Sequence, residues 1–399
     1  MINNSGNIGE KIWTKNFSLM MVIAFLMGIA NNMFVGALPL YVLRHGGDSS
    51  MAGAVMSVFT LSALCCRHFW GRMLDGKGRK KVLIAGGILY TLISVVYSFA
   101  FTIPMIILIR FLHGVGYGAH STASGTIVSD LVPKSRLSEG IGYYGISSTL
   151  ATAVGPALGL FISEKYSYPA LFEGICLLSI ISLTGSLFLN YEKKPDIQIA
   201  EKRSEKPDKV RKIIEPTAIP ASIVIMFVTI SMSGIFSFLS AFGVEKEIEN
   251  IGMFFSVYAC AILTVRLLFS QLSSHIEITK LLIAAMFLSF LALVWLAFAS
   301  NLSSVLFSGM LYGAGMGIIQ PVMNSILVMQ CPANRRGAAN ATYFSAIDIG
   351  YTIGPVLLGI ILKFTGFSVV YMVSAIAILL SVLSYLLMVK GSGEMKSHI

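Results

Sequence analysis

The sequence predicts an all-α membrane protein of twelve transmembrane helices, arranged as two parallel six-helix repeats. Three observations predict it. The chain carries long apolar runs in a number that no water-soluble surface accommodates, one charged stretch interrupts them near the middle, and the two resulting parts match at a single offset of 199 residues.

Hydrophobic residues make up 55% of the 399 residues and charged residues only 12%, and the mean hydropathy is +0.79. Average soluble domains carry about 25% charged residues. A spanning helix needs roughly 20 mostly apolar residues, and in lipid only helices or closed barrels satisfy their own backbone groups. The runs here are long and rarely alternate, which excludes a barrel. The five cysteines (Cys65, Cys66, Cys176, Cys260 and Cys331) stand mostly inside apolar runs. They read as small buried hydrophobes rather than as a disulfide or metal framework. No ligand-spaced Cys/His cluster occurs, so neither a metal nor any other cofactor is expected.

The first sixteen residues are polar. The apolar run from Phe17 is too long for a signal peptide and lacks a small-residue cleavage pattern, so it reads as the first membrane helix. Helices are expected over 17–43, 51–71, 81–100, 103–130, 138–162, 168–190, 217–242, 251–272, 278–299, 302–330, 336–362 and 367–389. Between the sixth and seventh lies 191–216, charged, proline-containing and without apolar periodicity, which reads as a flexible linker. It separates an N-terminal half, 1–190, from a C-terminal half, 217–399.

Lys and Arg fix the expected orientation. With the N-terminus inside, 22 of the 29 fall on cytoplasmic segments and only Arg44, Lys165, Lys246 and Lys363 on the opposite face. Arg67, Arg110 and Arg266 lie within helices. Both termini and the linker are therefore expected in the cytoplasm, and the net charge of +10 needs no nucleic-acid partner.

The repeat supports the division. Ser57-Val58-Phe59 and Arg67 match Ser256-Val257-Tyr258 and Arg266. The same offset carries Leu112–Gly118 onto Leu311–Gly317, Pro133 and Arg136 onto Pro332 and Arg335, and Gly155-Pro156 onto Gly354-Pro355. An even number of helices per repeat puts both halves in the same orientation, about an axis along the membrane normal.

The segment after the second helix reads Gly71-Arg72-Met73-Leu74-Asp75-Gly76-Lys77-Gly78-Arg79-Lys80-Lys81. An ordinary positive-inside loop would suffice to explain it. It also resembles the signature loop of the major facilitator superfamily, matched at Gly71, Asp75, Gly78, Arg79 and Lys80, with Gly76 standing where that family usually has a base. The resemblance implies a gating loop whose aspartate latches a helix of the opposite half and holds the outward-open state. The equivalent segment of the second half, 270–280, lacks the aspartate and the glycines.

The fourth helix carries Arg110, His113 and a run of glycines. No strand precedes them, so a dinucleotide turn is excluded; glycines four apart, Gly114/Gly118 and Gly313/Gly317, instead allow close helix approach in lipid. A guanidinium inside a spanning helix is costly and is normally paired or functional. The segment resembles the Arg-x-x-Gln-Gly signature of proton-coupled facilitators, with His113 in place of the glutamine, and the resemblance implies a proton-coupling role. Gly155, Pro156 and Gly159 in the fifth helix resemble, in part, the Gly-Pro-x-x-Gly signature of antiporters; a proline kink with close packing is the alternative.

Asp348 is the one carboxylate placed mid-helix by these spans. A lone buried acid is neutral or finds a cation, so it is either a proton site, with His113 or Arg110 as first-half counterparts, or half of a structural ion pair, for which Arg266 is the candidate partner. Arg67 and Arg266 read as structurally paired or snorkelling. Asn31, Asn32, Gln320 and Asn324 are candidates to line a central cavity. The closest patterns are those of twelve-helix drug:proton antiporters and related metabolite exporters. The resemblance implies a non-enzymatic secondary transporter of a bacterial inner membrane, exporting a small organic or amphipathic molecule by alternating access. Import by proton symport, and lipid-headgroup flipping, are the alternatives. The expected partners are the small-molecule substrate, protons and the bilayer, with the chain acting as a monomer. No Gly-x4-Gly-Lys-Ser/Thr loop occurs, so ATP is not the expected energy source.

Overall fold

The computed structural model describes residues 11–99, 102–133, 136–190, 215–275, 277–331 and 336–390. The linker over 191–216 therefore lies outside the described residues except for its last two, and Glu215 and Pro216 lead into a short 3-10 turn over Pro216–Ala218. The described residues form helices and contain no strand.

The first span, α1, is broken into Lys15–Asn32 and Ala37–Arg44. The continuous helix expected over 17–43 is thus corrected. Gly36 stands between the segments at φ +76°, which an L side chain rarely adopts, and a side chain there would strike Ser240 of the second half. Then come α2 Ser49–Lys77, α3 Arg79–Val96, α4 Ile103–Leu131, α5 Leu137–Lys165 and α6 Tyr168–Phe188. The second half supplies α7 Ile219–Glu245, α8 Met253–His275, α9 Ile278–Ala297, α10 Leu302–Gln330, α11 Arg336–Phe364 and α12 Phe367–Ser384. Side-chain caps start several of them: Thr14 accepts from the Phe17 N–H, Asp48 from Met51, Ser167 from Ala170 and Asn301 from Ser304.

Among the described residues, ten of the helices are long and apolar enough to cross a membrane. The other two are α8, whose apolar run is the shorter Met253–Leu268, and α4, whose hydropathy is lowered by Arg110, His113 and His120.

Packing repeats with the sequence. α2 lies on α4, α3 on α4 and α1 on α5; in the second half α8 lies on α10, α9 on α10 and α7 on α11. The glycine contacts repeat as well. A side chain on Gly114 would strike the backbone of Phe59, and one on Gly313 the backbone of Tyr258, positions related by the same 199-residue offset. Gly116 faces Gly86 and Tyr90 while Gly315 faces Ala285 and Ser289, again at that offset. Small residues here let backbones touch where lipid offers no hydrophobic drive for association.

Two seams join the halves, α2 against α11 and α5 against α8. They are tightest at the Asp48 end. Gly53 abuts the Pro355 carbonyl, Gly252 abuts Ala157 and Leu160, and Ser49 Oγ donates to the Gly359 carbonyl at 2.9 Å. One buried apolar core runs across both halves there. At the opposite end, which carries the basic segments, the first half has a separate core of its own around Phe17, Trp70, Leu83 and Ile127.

Replacing Gly114 with valine overpacks α4 against α2, which in a dense core costs about 1–3 kcal/mol. Gly125, with open space around its Cα, is the control. Thermal unfolding of the purified variants should show a clear drop in Tm for Gly114→Val and none for Gly125→Ala; equal effects would contradict the close-approach account.

Candidate functional site

A cavity of about 330 Å³ lies between the halves. Its wall takes residues from α1, α2, α4, α5, α7, α8, α10 and α11, so no single segment of sequence describes it. Asn31, Asn32 and Gln320 line it, as the sequence suggests. Asn324, one turn beyond Gln320, is not among the lining residues. The apolar part of the wall includes Met56, Phe59, Met232 and Phe236, and three tyrosines add hydroxyls: Tyr117, Tyr258 and Tyr351. An apolar surface with a few convergent polar groups suits an amphipathic guest.

Asp348 is on this wall, and its partner is Arg67, not Arg266. Arg67 Nη2 stands 2.9 Å from Asp348 Oδ2 across the α2–α11 seam. The contact is close but poorly aligned, so that Oδ2 makes no hydrogen bond among the described residues. Side-chain exposure is 36% for the arginine and 17% for the acid, so water reaches the cation more readily than the acid. Below it in the same seam Thr60 Oγ1 sits 3.3 Å from the Tyr351 carbonyl and 3.1 Å from Thr352 Oγ1.

Arg110 and His113 are elsewhere. Arg110 is 1% exposed and lies behind Phe59 and Met56, which face the cavity in its place. Its guanidinium carbon is 4.1 Å from the Phe59 ring centroid and 4.6 Å from that of Phe34. This aromatic clamp takes the place of a carboxylate, none of which pairs with Arg110 among the described residues. Ser94 Oγ donates to the Tyr90 carbonyl and so accepts from His113 Nε2–H at 3.2 Å, leaving Nδ1 to accept from Arg110 Nη1 at 3.5 Å. The structure brings neither residue to Asp348. Phe59 and Met56 stand between the α4 site and the cavity wall that carries Asp348.

The basic segment also differs from its expected form. α2 continues to Lys77, since 72–75 and 77 are all tolerated in a helix, and the break is the single residue Gly78 at φ +97°. Asp75 thus belongs to the last turn of α2 rather than to a loop, and its side chain lies outside the described residues. Gly71 has open space around it. Arg79 pairs with Asp130 of α4 at 3.0 Å, and Lys80 Nζ donates to the Leu187 carbonyl at the end of α6. Both contacts stay within the first half. Gly155 and Gly159 press on Asn32 and Met33 of α1, with Pro156 between them inside α5. Glu139, in the first turn of α5, pairs with Arg136.

Sequence reasoning missed Arg67 as the partner of Asp348, and missed Thr149 altogether. Thr149 lines the cavity and accepts from Arg266 Nη1 at 3.0 Å. The signal was available. Arg67 and Arg266 share the repeat offset, and so do Thr149 and Asp348.

Two six-helix repeats that enclose a polar-lined cavity, in a chain built to cross a membrane, define a membrane transporter rather than an enzyme. The Major Facilitator Superfamily pattern matches residues 20–303 and 222–397, and the chain belongs to that family. An uncharacterised MFS-type transporter of Methanocaldococcus jannaschii is 23% identical over 387 residues, covering 94% of this chain and 96% of its own length. Multidrug resistance protein MdtG of Enterobacter lignolyticus is 25% identical over 384 residues, covering 92% and 90%. Among solved structures, a POT family transporter in complex with 5-aminolevulinic acid matches with a TM-score of 0.77 at 14% identity, covering 94% of this chain and 96% of that one. The nucleoside transporter NupG matches at 0.70 and 14%, covering 94% and 99%. These likenesses establish the fold.

At the tight end, Asp48 accepts from Lys363 Nζ at 2.8 Å across the α2–α11 seam. That hydrogen bond, then the one from the Met51 N–H, lowers the Asp48 pKa from its ordinary 3.8. A lowered folded pKa contributes stability that is present above the ordinary value and is lost as pH falls through the folded one. Both groups are well exposed, so the contribution stays within about 1 kcal/mol. The Tm difference between wild type and Asp48→Asn should therefore be small and constant from neutral pH to mildly acidic pH, and vanish once pH drops below the ordinary carboxylate range. A difference that grows on acidification would contradict the pairing.

Proposed function

We propose that the chain is a proton-coupled exporter of a small organic or amphipathic molecule, working by alternating access as a monomer in a bacterial inner membrane. The observation that carries the proposal is Asp348, a carboxyl on the cavity wall whose charge is balanced across the seam by Arg67. Protonation of Asp348 removes the attraction, frees Arg67 and loosens α2 from α11; deprotonation restores the tie. A carboxyl that meets the two sides of the membrane in turn converts a pH difference into this cycle.

The excess of Lys and Arg at the basic end supports a cytoplasmic position for both termini and the linker. The cavity then faces inward, with the tight seam on the outer side. Gly71, Asp75, Gly78, Arg79 and Lys80 form the cytoplasmic gating segment in this reading. Export is supported by relatives named as multidrug resistance proteins and by Gly155-Pro156 with Gly159 in α5. Arg110 and His113 act from behind Phe59, which they hold against the cavity, rather than by direct proton exchange with Asp348.

The test is flux in proteoliposomes under an imposed pH gradient, with acridine orange reporting proton movement as a panel of amphipathic drugs is added. Wild type should release protons against entry of at least one drug. Asp348→Asn should be folded and should still exchange drug for drug without a gradient, while its gradient-driven flux falls to background. Full gradient-driven flux in that variant would refute Asp348 as the proton site.

A further inference from the structure

The two seams are related by the repeat, yet they are neutralised differently. Arg67 of α2 meets Asp348 of α11 at 2.9 Å. The equivalent pair, Arg266 of α8 and Thr149 of α5, meets at 3.0 Å, and here the acid is replaced by a hydroxyl. Thr149 donates its own hydrogen to the Gly145 carbonyl at 2.9 Å and so offers Arg266 a neutral acceptor only. Arg266 makes no ion pair among the described residues, and its buried Nε has no hydrogen-bond partner there. A cation in an apolar setting without a counter-charge is costly. Asp348 shows what this architecture uses to neutralise one.

Thr149 faces the cavity, flanked on the same helix by Ser148 and Thr152, and Gln320 stands on the same cavity wall. A guest in the cavity thus has one wall of hydroxyls with the Arg266 guanidinium directly behind Thr149, and one where the charge is already balanced. Arg110, also without a carboxylate partner among the described residues, is screened from the cavity by Phe59 and Met56 and is not available to a guest.

We propose that the transported molecule carries an anionic group, a carboxylate or comparable oxyanion, and that Arg266 binds it beside Thr149 at the α5–α8 seam. The anion occupies the role that Asp348 plays in the other seam, so the loaded cavity is tied across both. A planar guanidinium with two N–H edges suits this contact. The inference rests on the reading of the cavity as the binding site for a small organic molecule, and narrows it to anions.

The test uses purified full-length protein in nanodiscs, with no pH gradient, and reads equilibrium binding of three carboxylates, each matched to its neutral amide: benzoate with benzamide, 1-naphthoate with 1-naphthamide, and decanoate with decanamide. For wild type, at least one carboxylate should bind about tenfold or more tightly than its amide, the discrimination expected when a charge-assisted bond is lost. Arg266→Gln should abolish that preference. Thr149→Asp supplies the missing acid, so it should abolish carboxylate binding while raising the Tm of the unliganded protein. The raised Tm keeps the result clear of misfolding. Amides binding as well as their acids, no carboxylate binding at all, or a preference that survives in Thr149→Asp would each overturn the proposal. Gradient-driven flux of a neutral amide would do so too while leaving proton-coupled export intact.

Discussion

A guanidinium held between two membrane-embedded halves must be neutralised, and the way Arg67 is neutralised organises this structure. Asp348 reaches it from the other half, at the level of the cavity and across the seam where α2 and α11 pack. Toward the Asp48 end the same seam is closed mainly by contacts no proton alters, such as glycine against carbonyl and serine hydroxyl against backbone, with the well-exposed Asp48–Lys363 pair at its rim. Toward the basic end the continuous core gives way to a separate cluster of the first half. The halves are thus joined chiefly by shape at one end and, among the described residues, by the Arg67–Asp348 charge pair at the level of the cavity. A rocking motion needs this asymmetry, because a tie made by shape stays when a proton is added and the buried tie at the cavity does not.

The large features were legible in the sequence because lipid leaves few options. Helix positions followed from the apolar runs, and the repeat offset foretold not only the halves but their glycine contacts, since Gly114 and Gly313 meet equivalent backbone. Local breaks were harder to see. The end of the first segment of α1 near Asn32 carries no charge or proline, and Gly36 is one glycine among 37. The run from Gly71 to Lys77 looked like a loop because its charges match a loop, yet those residue types also continue a helix, and only Gly78 stops it.

The site was legible by type more than by partner. Asp348 stood out as a lone acid, and Asn31, Asn32 and Gln320 as polar groups in apolar surroundings. Which arginine the acid meets depends on how the halves face each other. That arrangement brings α11 to α2 and leaves α8 to α5, so the nearer guess of Arg266, from the same half, failed. Arg110 was read as paired or functional because a membrane arginine is costly. The structure shows a different solution, two aromatic rings supplied by α1 and α2. No local pattern around residue 110 encodes rings that arrive from other helices.

The central claim is that the Arg67–Asp348 charge pair restrains the basic end. The most direct measurement is the distance between spin labels placed at Arg72 and Ala341, both exposed, on α2 and α11 respectively, after replacing the five native cysteines. Pulsed electron resonance on the protein in nanodiscs would compare Asp348 with Asp348→Asn at neutral pH. The account predicts a longer and broader distance distribution in the variant, together with an unchanged distribution for labels at the Asp48 end. Identical distributions at the basic end would contradict it.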